Sequence, residues 1–198
     1  MENFVWAGMG LGLASVAGLR AFLPLALFGL FARFGFLVPP DILGLPSEWA
    51  VVGIFAALAV LEIVLDKVPA LDPAFGYVMI PFRLAAGAAL FATMVAPGAT
   101  LEPAAAPELV AGAGFTALVA VLAVIVRPSA GTPAGTQAAG VSTAFLSAIQ
   151  DVVALVGAIL SFFVPYVAVL LVAFLLFFFD RIRKRRGRKF GGLRILGD

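Results

Sequence analysis

The 198-residue sequence contains no cysteine and no histidine. That excludes disulfides, thiolate chemistry, histidine-ligated metals and imidazole acid–base catalysis. Charge is scarce as well: 12% of residues are Asp, Glu, Lys or Arg, against about a quarter in soluble domains. What fills the chain instead is apolar, with 63% hydrophobic residues and a mean hydropathy of +1.14. This is the composition of an integral membrane protein. The net charge of +2 hides an asymmetry, because eight of the thirteen Lys and Arg fall between Arg181 and Arg194. Met1-Glu2-Asn3 is not basic, and the apolar run behind it is too long for a cleavable signal peptide.

Six apolar stretches read as transmembrane helices. Phe4–Phe34 exceeds the roughly 20 residues one span needs, which suits a tilted, broken or re-entrant helix. Trp49–Leu65 opens on a tryptophan suited to the interface. The third span starts near Tyr77 or at Pro81 and reaches Val95, and the fourth, Leu109–Val126, stops at Arg127-Pro128. Val141–Phe163 is the fifth and Val167–Phe179 the sixth, with a Gly/Thr/Ser connector at Ser129–Gly140. The expected fold is all-α: one compact bundle of about six transmembrane helices over residues 1–180, then a basic tail over 181–198. The first helix is expected to be interrupted or re-entrant, and the fifth is a second candidate. Gly8 and Gly12 form a small-xxx-small pair that lets another helix approach closely.

The basic tail should face the cytoplasm by the positive-inside rule. Six spans then place both termini on the cytoplasmic side of the membrane. Lys67 and Arg127 fall on that side, Asp41, Glu48 and Glu102 on the other, and only Arg33 is out of place. The expected partners are the bilayer, anionic lipid headgroups at the tail and a second copy of the chain. Nucleic acid, cofactors and metals are not expected.

Gly18-Leu19-Arg20-Ala21-Phe22-Leu23-Pro24 sits inside the first apolar stretch. Proline cannot bond the carbonyl four residues earlier, which here belongs to Arg20. Inside a membrane an unsatisfied backbone group costs several kcal/mol, and a mid-membrane arginine adds roughly 2.5–3.5 kcal/mol on insertion scales. Two such costs in one turn call for polar partners elsewhere. The candidates are Glu62 and Asp66, which share a helix face at four-residue spacing, together with Arg83, Ser142, Gln150 and Asp151. Asp151 is read as lying near mid-depth. With Pro24, these residues make up the expected pathway site. A weak echo of Ala17–Pro24 in Ala139–Ser147 would suit paired interrupted helices, though it relates two parallel spans and fits no inverted repeat.

Gly18–Pro24, Glu62…Asp66-Lys67-Val68-Pro69…Asp72 and Phe82-Arg83-Leu84-Ala85-Ala86-Gly87 resemble, in the same order, the bacterial membrane proteins grouped as domain of unknown function family 4126. Where that family tends to carry paired acids, this chain has Gln150-Asp151, so one acid is missing. The resemblance implies a compact multi-span protein, draws attention to Arg20, Glu62, Asp66, Arg83 and Asp151, and supplies no activity. From the residues, the leading expectation is a transporter or channel-like protein moving a small ion, solute or lipid headgroup, with a slight lean to an anion. The alternatives are a non-catalytic membrane scaffold or, less favoured, a carboxylate- and metal-dependent lipid-modifying enzyme.

Overall fold

The computed structural model describes residues 2–36, 48–66, 76–95, 106–126 and 143–191. Among them there are seven helices and no strand: α1 Glu2–Leu19, α2 Phe22–Arg33, α3 Trp49–Leu65, α4 Ile80–Val95, α5 Ala106–Val126, α6 Thr143–Phe163 and α7 Val167–Gly191. A helical turn at 76–78 leads into α4. Two helices, Gly76–Val95 and Pro107–Ile125, are long and apolar enough to cross a membrane, and four shorter apolar helices accompany them.

The first apolar stretch is divided, and it reverses direction. Phe4 near the start of α1 packs on Tyr166, ring centroids 4.8 Å apart, while Phe31 near the end of α2 stacks on Phe162 at 4.5 Å. In one continuous helix residues 4 and 31 would lie about 40 Å apart, too far to meet two positions four residues apart. The chain therefore turns back at Arg20, and α1 and α2 form a V with its tip there. Among the described residues the fifth stretch shows no interruption, while Gly140, Val141 and Ser142 lie outside them. Thr143–Phe163 runs unbroken, since neither proline nor glycine intervenes before Gly157.

Each further direction follows from one contact. Gly12 faces Ser161 while Gln150 reaches Leu19, so α6 opposes α1. Gly18 abuts Val119 and Thr116 bonds the Ala14 carbonyl at 3.2 Å, so α5 runs with α1. Gly10 abuts Phe91 and Met94, whereas Phe82 lies against Phe22, so α4 opposes α1. Trp49 meets Phe34 and Glu62 meets Phe22, so α3 opposes α2. Odd-numbered helices thus run toward the Arg20 end and even-numbered ones away from it. The six expected apolar stretches thus give seven helices, because the first is interrupted, as expected, and its two halves α1 and α2 lie side by side.

Helix α1 lies at the centre, buried on all sides from Gly12 to Ala21, as a helix without a polar stripe must be. On one side Val16 and Leu19 pack with Val119, Ala123, Ala154, Val172 and Phe179 of α5, α6 and α7. On the other, Leu13 and Ala17 pack with Phe28, Ala86, Leu90 and Phe162. The expected close approach at Gly8 and Gly12 is present: a Cβ there would lie 2.6 Å from Pro165 and from the Ser161 hydroxyl. Gly87 is tighter still, with a Cβ falling 1.8 Å from Thr116 Oγ1. A Cβ on Gly112 would lie 3.0 Å from the Gly87 carbonyl oxygen, so α4 and α5 are in near-backbone contact there.

Candidate functional site

The two residues between α1 and α2, Arg20 and Ala21, sit where α3 ends and α4 begins. Pro24 is the third residue of α2, within the first turn, where the missing N–H removes no intrahelical bond. Its ring thus starts a new helix and does not kink an old one. A reversal leaves open carbonyls at the end of α1 and open N–H groups at the start of α2. Both sets find side chains from elsewhere. Gln150 Nε2 donates to the Leu19 carbonyl at 3.2 Å. The Glu62 carboxylate accepts the Ala21 and Phe22 N–H groups, both at 3.3 Å, and so caps α2, whose N-cap Ala21 has no side chain able to do so.

Arg20 points from this turn into the bundle with none of its surface exposed. Its Nε donates to Asp151 Oδ1 at 2.8 Å and its NH2 to Asp66 Oδ2 at 2.6 Å, so the planar fork bridges acids from α3 and α6. Asp66 is the C-cap of α3. It also accepts the Ser147 hydroxyl at 2.6 Å, and Ser147 lies 3.4 Å from Arg20 NH2. Arg83 does not snorkel outward: it is buried on the first turn of α4, its NH2 3.6 Å from Glu62 Oε1. Glu62 therefore faces a helix N-terminus and a guanidinium together. The buried atoms without a hydrogen-bond partner among the described residues include Arg20 NH1 and Gln150 Oε1.

Seven of the eight expected site residues are thus described, and six of them, Arg20, Glu62, Asp66, Arg83, Gln150 and Asp151, join one polar node with Pro24 beside it. Ser142 lies outside the described residues. Asp151 is the ninth residue of the 21-residue α6, close to the middle of that helix, while Arg20 follows the last residue of α1 and Asp66 caps the end of α3. Asp151 has the most accessible side chain of Arg20's partners, 15% against 2% for Asp66. Ser147 was missed as a site residue. Its signal was present, one helical turn before Asp151 on the same face. Among the described residues no three acidic side chains converge in a metal-holding group.

A family model described as Domain of unknown function (DUF4126) matches residues 7–185. No curated protein and no solved structure matches the chain significantly.

Proposed function

The chain belongs to the domain of unknown function 4126 family, and on that premise we propose that it is an integral membrane protein that passes a small cation or polar solute along the Arg20 node, captured here closed. The observation that carries this is a guanidinium buried at a helix reversal, bridging acids from two different helices, with one of its own nitrogens and Gln150 Oε1 still open. Opposed helix ends beside ionisable groups are the means by which broken-helix transporters bind ions, and intramembrane ionisable groups mark pathways. Because Arg20 already faces two carboxylates, the node suits a proton, a cation or a neutral polar solute better than an anion. Asp151, the most accessible acid bonded to Arg20, would be the point of entry.

The helix directions favour an odd number of crossings over the even number expected from the sequence. Lys67 and Arg127 follow α3 and α5, which run toward the Arg20 end, and the basic run continues α7 in that same direction. By the positive-inside rule this end is cytoplasmic, which puts the start of α1 on the opposite face of the cytoplasmic membrane. The absence of native cysteine makes the check direct. In sealed vesicles an impermeant thiol reagent should reach Phe4→Cys and Lys184→Cys from opposite sides. Labelling from one side would restore an even number of crossings.

Transport itself is tested with the full chain in proteoliposomes, by following proton, alkali-cation and small polar solute flux. Asp151→Asn keeps the Asp66 bridge to Arg20 and should leave the fold intact while cutting flux at least about tenfold, the loss expected of a group in the path. A second reading is a membrane scaffold in which the node only ties helix ends together, favoured by how completely Glu62 and Gln150 satisfy the reversal. A folded wild type that moves none of these solutes supports the scaffold.

A further inference from the structure

The basic end of α7 carries a feature that the node does not use. Phe174, Phe177, Phe178, Arg181 and Ile182 line a cleft of about 280 Å³. The first four share one helix face by their spacing, while Leu175 and Phe179 turn the other way into the core. The cleft therefore opens outward, and Phe174 and Phe177 are each more than 60% exposed. Arg181 is the first cation after the apolar run and makes no ion pair with any described residue. The acid beside it, Asp180, is held by Lys184 at 2.6 Å.

We propose that this cleft binds one anionic phospholipid, an acyl chain lying among the phenylalanines and Ile182 and the phosphate on Arg181. An isolated guanidinium at the end of an aromatic cleft matches a molecule that joins one hydrocarbon chain to one phosphate. A soluble anion would need only the cation, and a peptide would leave the phosphate geometry of the guanidinium unused. Charge complementarity fixes the class: eight Lys and Arg lie between Arg181 and Arg194, so a zwitterionic headgroup gains little there. The site rests on the membrane reading given above.

The test uses the purified full chain, with phosphatidylglycerol and phosphatidylcholine of identical acyl chains competed against each other and retained lipid read by native mass spectrometry. One phosphatidylglycerol per chain should be retained preferentially. Arg181→Gln should weaken that retention about fivefold, and Phe177→Ala should weaken it as well. Lys189→Gln, which removes the same charge further along the basic run, should weaken it less than about twofold. Equal losses for Arg181→Gln and Lys189→Gln, or no lipid preference, would overturn the site in favour of diffuse attraction to the tail. Alkaline carbonate extraction of membranes separates the two levels: a chain released into the supernatant overturns the membrane reading and this site with it. An integral chain without discrimination overturns the lipid site alone.

Discussion

Arg20→Gln is expected to destabilise the folded chain by roughly 3–5 kcal/mol, the cost of removing one partner of a buried ion pair. The reason lies in what remains. Asp66 and Asp151 would stay in contact with the same interior volume, stripped of the cation that bridges them. Ser147 can still donate to Asp66, but one hydroxyl does not neutralise two carboxylates. Unfolding in micelles by denaturant or heat reads the loss. Two companions make the expectation specific. Arg20→Lys should recover only part of it, because a single ammonium cannot reproduce a fork whose Nε and NH2 address different helices. Adding Asp66→Asn to Arg20→Gln should recover stability relative to the single variant, since the added change removes a charge that no longer has a partner. Losses that simply add would mean that the two residues do not act through each other.

Glu62→Ala is the second large effect, and its cause differs. Glu62 does two jobs through one carboxylate, capping the start of α2 and facing Arg83. A lost cap costs roughly 0.5–2 kcal/mol. Removing the carboxylate beside a buried guanidinium adds a larger loss, up to about 3–5 kcal/mol for a fully buried pair. Glu62→Gln separates the two contributions. Its amide oxygen can still accept an N–H from the start of α2, while the charge facing Arg83 is gone. Glu62→Gln should therefore fall between wild type and Glu62→Ala, measured by the same unfolding transition. Equal stabilities for Gln and Ala would show that the cap contributes nothing.

Much of the node was legible because apolar sequences make polar groups conspicuous. Arg20, Glu62, Asp66, Arg83, Gln150 and Asp151 stand out against apolar neighbours, and each needs a partner once buried among them. The break at Gly18–Pro24 was legible for the same reason. The sense of the break was not. A proline three residues into a helix and a proline that kinks a helix look identical in sequence, and only the meetings of Phe31 with Phe162 and Phe4 with Tyr166 distinguish them. From that ambiguity came the single first span, where the structure has two helices. Glu62 was legible as a charge but not as a cap, because its N–H partners lie forty residues away in the chain. The close contact of Gly87 with Thr116 was equally hidden. Glycine is common in such helices, and nothing local marks the one that a neighbouring hydroxyl crowds.

The central claim is that the first apolar segment doubles back at Arg20, bringing the start of α1 and the end of α2 to the junction of α6 and α7. A cysteine-free chain allows this to be measured by pairwise cross-linking with a short bifunctional methanethiosulfonate. Phe31→Cys with Phe162→Cys should cross-link rapidly and nearly completely, and Phe4→Cys with Tyr166→Cys should do the same in a separate variant. Cross-linking of the second pair without the first would mean that the segment continues straight through Arg20, and the reversal with its Glu62 cap would be wrong.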